Sequence, residues 1–152
     1  MREIQREIVS ALLISEDDML FMGKKDPRKG GVYPNAYHIP GGGLDEGETK
    51  EEALIRETRE ETGIDIADYE IALIDDQGSG ISNKTLKTGE EVVCHMRFNV
   101  YEVRIPDLAV DIRVVLNDDL VEFIWADINE LSEYELTPPS VELFRRIGYL
   151  KD

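Results

Sequence analysis

The sequence predicts an α/β chain in which two helices flank a mixed β-sheet. Three observations carry this. Strand-like runs recur on both sides of a central helical segment. That segment, 49–63, has both start and stop signals for a helix. A second helix is announced by Pro138-Pro139 near the end of the chain. At 152 residues the chain is about one domain's worth. No internal repeat or Pro/Ser-rich linker divides it, so a single domain over 1–152 is expected.

The elements follow in order. Residues 4–14 read as a strand, Ser15 to Asp18 as a turn, and Met19 to Lys24 as the returning strand. Residues 25–37 form a long loop with a basic start. His38-Ile39-Pro40 leads into Gly41-Gly42-Gly43, a backbone suited to close approach or positive φ. Thr49 and Glu52 fit the N-cap and N3 positions of a capping box, and the helix runs to about Thr62, with Gly63 at C′. Residues 69–75 and 91–105 read as strands, and the polar stretch 75–90 as a loop or long hairpin tip. Val121 to Trp125 is a short strand and Asp127 to Leu131 a helical turn. A final helix spans Ser140 to Ile147 and ends at Gly148.

Composition narrows the function. The chain has 17 Lys and Arg against 33 Asp and Glu, a net charge of −16, with 41% hydrophobic residues. That is a globular composition with an acidic surplus. It argues against nucleic acid, which needs basic stripes, and against an anionic membrane surface. It also sits oddly with an anionic substrate unless cations mediate. The single cysteine, Cys94, forms no intramolecular disulfide and reads as a buried thiol in a strand. With no apolar signal core and no bilayer-length apolar run, a cytoplasmic location is expected.

The helix 49–62 carries the chemistry. Helical periodicity gathers Leu54, Thr58, Thr62 and Ile55 on one side, a weak apolar face. Glu61, Glu57 and Glu60 follow in that order around the helix from Leu54, with Arg56 beyond them. The three carboxylates form one stripe beside the buried face, spaced as neighbours. Like charges so placed oppose folding, and partial burial raises that cost. A hard divalent cation such as Mg²⁺ would offset it; so would protonation. A solvated Glu/Arg face is the plain alternative.

The residues here match a pattern: Gly42, five residues, Glu48, seven residues, Arg56-Glu57-Thr58, one residue, Glu60-Glu61, one residue, Gly63-Ile64. This resembles the Nudix box, with Thr58 where an aliphatic residue is usual. The box spans 23 of 152 residues. The resemblance implies an α/β/α sandwich around a mixed, curved sheet. It also implies Mg²⁺- or Mn²⁺-dependent hydrolysis of a nucleoside diphosphate linked to another moiety. Carried over, it makes Glu57, Glu60 and Glu61 metal ligands, one of them doubling as base, with the Gly41 carbonyl as a further ligand. Arg56 would position the carboxylates and Glu48 would support the loop–helix junction. Asp118 or Asp119 could add a ligand from outside the box, as could Glu90 or Glu91. A homodimer is compatible with the family.

Other candidates are weaker. Lys24 and Lys25 could meet phosphates as point charges, as could Arg28 and Lys29. Tyr33 and Tyr37 could stack on a base, and Gly42 and Gly43 could contact substrate. His38 and His95 read as packing residues. Markers for coenzyme A, nicotinamide dinucleotide, ADP-ribose and diadenosine polyphosphate substrates are absent outside the box. Elimination leaves a nucleoside triphosphate, oxidised or otherwise non-standard ones included, cleaved to monophosphate and pyrophosphate. A nucleotide sugar or dinucleoside polyphosphate is the alternative substrate. A non-catalytic nucleotide-sensing module is the alternative class.

Overall fold

A split in the sheet positions everything that follows. The computed structural model describes residues 1–29, 33, 35–117 and 119–151. Strand β1 (Arg2–Ile14) turns back into β2 (Met19–Lys25) through Ser15 to Asp18. Ser15 Oγ accepts the Met19 N–H at 3.0 Å, and Asp18 takes a positive φ of 57°, which Asp tolerates better than most residues. The two strands then diverge, pairing at Ile14↔Leu20. Residues 38–43 wedge into the gap. His38 bridges to Gly23 on one side. On the other, β3 (Gly41–Gly43) pairs antiparallel with β1 at Ser10, Val9 and Ile8.

The sheet continues outward from this wedge. Strand β4 (Ile71–Thr85) pairs antiparallel with β5 (Glu91–Arg104), and β5 runs parallel to β1 from Arg2↔Val92 to Ile14↔Arg104. Strand β6 (Leu120–Asp127) closes the other side against β2. The order is β4-β5-β1-β2-β6, with β3 beside β1. One parallel pair among antiparallel ones makes the sheet mixed, as expected. Cys94 is buried in β5.

Alternation along β1 feeds two cores. Val9, Ala11 and Leu13 pack with Phe21, Leu54 and Ile66, under helix α1 (Lys50–Thr62). Leu12 and Ile14 pack with Leu20, Met22 and Phe144, under helix α2 (Pro138–Arg146). The result is the α/β/α sandwich. The capping box on α1 is complete: Glu52 N–H donates to Thr49 Oγ1 at 3.1 Å and Thr49 N–H to Glu52 Oε1 at 2.9 Å. Gly63 ends the helix at φ 74°, the left-handed C′ position. Among the described residues no helix is long and apolar enough to cross a membrane.

Two segments differ from the sequence reading. Residues 75–85 are strand rather than loop, because β4 and β5 stay paired out to Thr85↔Glu91. The strand lies at the sheet edge with few buried side chains, so it had no need of apolar alternation. Its register also shifts between Leu73 and Gly78, which breaks any period-2 signal. The final helix starts at Pro138, two residues early, because Thr137 rather than the prolines provides the cap.

Candidate functional site

Arg56 is the hub of the α1 surface. Its Nε and Nη2 grip Glu48 Oε2 and Oε1 at 2.7 and 2.8 Å, a bidentate pair. Nη2 also donates to the Gly43 carbonyl at 3.1 Å. Nη1 reaches Glu57 Oε1 at 3.0 Å and Glu60 Oε2 at 3.3 Å, and Asp45 stands 3.3 Å from Nε. One guanidinium thus fixes the glycine strand, the loop before the helix and two of the three carboxylates. The Arg56 hydrogen bonds, joined by the Asp45 N–H, hold the Glu48 carboxyl down at about 2. The same pairing pushes Arg56 above its ordinary value.

Glu61 is buried, and its Oε1 accepts the Gly41 N–H at 2.8 Å. Glu57 lies against Gly42: a Cβ there would stand 2.5–2.7 Å from the carboxylate atoms. A Cβ on Gly41 would strike the Val9 carbonyl. Of the two roles expected for Gly41–Gly43, close approach or positive φ, the structure shows close packing. Among the described residues the positive-φ glycines are Gly47, Gly63, Gly89 and Gly148; β3 is glycine because its neighbours leave no room for side chains.

Carboxylate oxygens on Glu57, Glu60 and Glu61 are the donor type that Mg²⁺ and Mn²⁺ take. Among the described residues no three acidic, His or Cys side chains form a ready-made metal cage. A hard divalent ion needs only one or two carboxylates when water and substrate phosphates complete its shell. The donor set fits such an open site.

A cleft of about 390 Å³ opens on the opposite face of β1. Gly41, Ile8, Ser10, Lys25, His38 and Phe98 are among its lining residues. Gly78 and Gly80 leave room over Phe98, since a Cβ on either would touch its ring. Leu143 and the start of α2 close the far wall. Pro138 and Pro139 carry no N–H, and the Ser140 N–H is spent on Thr137 Oγ1 at 3.4 Å. That helix end therefore offers little to an anion and more to an apolar ring. His38 Nδ1 donates to the Ile39 carbonyl at 2.9 Å, while its buried Nε2 has no partner among the described residues. Burial holds its pKa below the ordinary value.

The remaining candidates scatter. Lys25 lines the cleft and Lys24 does not; the β2–β6 register shifts between the two residues, so simple alternation does not set them apart. The Lys24 ammonium stands 4.5 Å over the Tyr37 ring and 3.5 Å from Glu122. Tyr37 donates to Glu122 at 2.6 Å, and that bond pushes its hydroxyl up to about 12. Lys24 and Tyr37 are thus placed in a cluster of their own, not among the cleft-lining residues. Tyr33 does line the cleft. Arg28 pairs with Asp26, Glu90 with Arg2, and His95 with Glu3. Asp119 immediately precedes β6, its carbonyl accepting the N–H of Asp26, just past the end of β2, at 2.8 Å. Asp118 and the Lys29 side chain lie outside the described residues. Phe98 and the α2 wall were not legible in advance, because they meet only when β1, β5 and α2 assemble. The one available signal was that Ile8 and Ser10 share a strand face.

Comparison with known proteins agrees with this geometry. A family model described as the NUDIX domain matches residues 5–147. The chain is 30% identical over 149 residues to the nucleoside triphosphatase NudI of Escherichia coli (strain K12), covering 96% of this chain and 99% of the relative. The MutT protein from Methanosarcina mazei Go1 superposes with a TM-score of 0.68 at 20% identity, over 97% of this chain and 96% of that one. The NUDIX domain of Shewanella oneidensis NrtR, solved with ADP ribose, gives a TM-score of 0.67 at 14% identity, over 94% and 86%.

Proposed function

The chain belongs to the Nudix family, and on that footing we propose that it hydrolyses a nucleoside triphosphate to the monophosphate and pyrophosphate, using Mg²⁺ or Mn²⁺. The chain is a Nudix pyrophosphohydrolase; the choice of bond, substrate and metal is the proposal. One observation carries it. Gly41 belongs to both halves of the site: its N–H orients the buried Glu61 carboxylate, and the residue lines the cleft. Carboxylates suited to a divalent ion therefore border a pocket of nucleotide dimensions. The likeness to NudI supports the triphosphate.

When bound, the metal would supply a water of lowered pKa and neutralise phosphate oxygens. The protein's part is position and charge. Arg56 holds Glu57 and Glu60, and Gly41 holds Glu61, so the ligands are set before substrate arrives. Lys25 lines the cleft with no carboxylate partner among the described residues and offers a point charge to a phosphate. Phe98, Met96 and Leu143 offer an apolar surface to a base.

The test is a panel of nucleoside triphosphates, nucleotide sugars and dinucleoside polyphosphates with Mg²⁺, scored for pyrophosphate and phosphate. Pyrophosphate from triphosphates is the expected product. Turnover confined to the other two classes would move the assignment there. Nucleotide binding without turnover of any member would make the chain a sensor.

A further inference from the structure

We propose that Arg6 is a substrate-phosphate ligand that gives this site its preference for a long phosphate chain, an inference that rests on the nucleotide reading of the cleft. Arg6, Ile8 and Ser10 alternate onto one face of β1, and Ile8 and Ser10 line the cleft. Arg6 is the next residue along that face. Its guanidinium lies against Gly43, where any Cβ would collide with it. Gly43 is therefore glycine for the sake of Arg6, much as Gly42 is for Glu57.

The pairing of Arg6 is the second observation. In a chain of net charge −16, most arginines find an acid. Arg6, Arg113 and Arg145 have no carboxylate partner among the described residues. Arg113 and Arg145 are exposed, whereas Arg6 is half-buried. A partly desolvated guanidinium left without an anion is costly, and an incoming phosphate oxygen pair fits its planar fork.

Position then points to the length of the chain. Lys25 lines the cleft together with Gly41, and Arg6 lies on Gly43. Roughly 7 Å of extended backbone separates those glycines. Arg6 thus offers a cation at the Gly43 end of β3, beyond the cleft-lining residues that include Gly41 and Lys25. A triphosphate reaches further along that line than a single phosphate does.

Calorimetric titration with inorganic tripolyphosphate and with pyrophosphate, in Mg²⁺, tests this without requiring turnover. Arg6→Gln is expected to weaken tripolyphosphate binding about tenfold and pyrophosphate binding clearly less, with an unchanged thermal midpoint. Arg6→Lys keeps the charge but loses the fork, and is expected to weaken tripolyphosphate about threefold. That variant carries the test if the glutamine variant does not fold. Arg113→Gln removes the same charge from an exposed site and is expected to stay within twofold. Tripolyphosphate affinity within twofold of wild type in both Arg6 variants would overturn the proposal. So would equal losses for the two anions, or no tripolyphosphate binding by the wild type. If tripolyphosphate binding depends on Arg6 while no nucleotide is turned over, the assignment of Arg6 stands and the reaction assignment falls.

Discussion

The two helices of this sandwich are built for opposite surroundings. Helix α1 opens with a full capping box and Glu51 and Glu52 in its first turn, where the helix dipole favours acids. It buries polar groups, Thr58, Thr62 and Glu61, beside Leu54. Helix α2 opens with two prolines and buries Leu143 and Phe144. The first helix gathers charge and locks it through Arg56; the second contributes an apolar wall with few free donors. On the proposed reading, chemistry falls to the first and recognition to the second. Charge is concentrated on one contiguous segment, whereas the pocket is assembled from distant strands.

The largest expected effect falls on α1. Glu57→Gln or Glu60→Gln is predicted to lower kcat/KM about a thousandfold, about 4 kcal/mol of transition-state stabilisation. Steady-state kinetics check this. Turnover within twofold of wild type would dissolve the contrast between the helices. Arg56→Ala comes next. It is predicted to cost about a hundredfold in activity and about 2 kcal/mol in a urea unfolding series, because Glu57 and Glu60 lose their common anchor.

A smaller effect is expected across the cleft. Phe98→Ala is predicted to raise KM about tenfold while kcat stays within threefold. A fall in kcat of the α1 size would mean that the wall takes part in the chemistry.

The smallest effect is on acid stability. Glu48 is held at about 2 against an ordinary value of 4.5. A depressed carboxyl contributes stability that is present above its unfolded value and lost as pH falls through its folded one. Glu48→Gln is therefore predicted to flatten the loss of stability between about pH 4.5 and 2, read from thermal midpoints. An unchanged slope would show that Arg56 does not depend on Glu48.

The same contrast explains what the sequence revealed. Helix α1 was legible to the residue, because Thr49, Glu52 and Gly63 act locally and Glu57, Glu60 and Glu61 keep fixed spacings. The place of Arg56 among the carboxylates came from the resemblance to the Nudix box, and its ion pairs with Glu48, Glu57 and Glu60 agree with it. The cleft was not legible. Phe98 and Leu143 are 45 positions apart in the numbering, and only the folded sheet brings them together. Lys24 and Lys25 show the limit most plainly: adjacent in sequence, they flank a register shift against β6, and of the two only Lys25 lines the cleft. The acidic charge, at odds with an anionic substrate on composition alone, is partly accounted for by the site itself. From Asp45 to Glu61 there are eight acids and three bases, and divalent ions would reverse that sign locally.

The proposed reaction stands on the α1 carboxylates acting through a divalent ion to release pyrophosphate. The most direct measurement follows product from a nucleoside triphosphate after exhaustive chelation and again after Mg²⁺ is restored. The expected result is no turnover in chelator, recovery with Mg²⁺, and pyrophosphate with nucleoside monophosphate as products. Turnover that survives chelation, or release of single phosphates with nucleoside diphosphate, would contradict it.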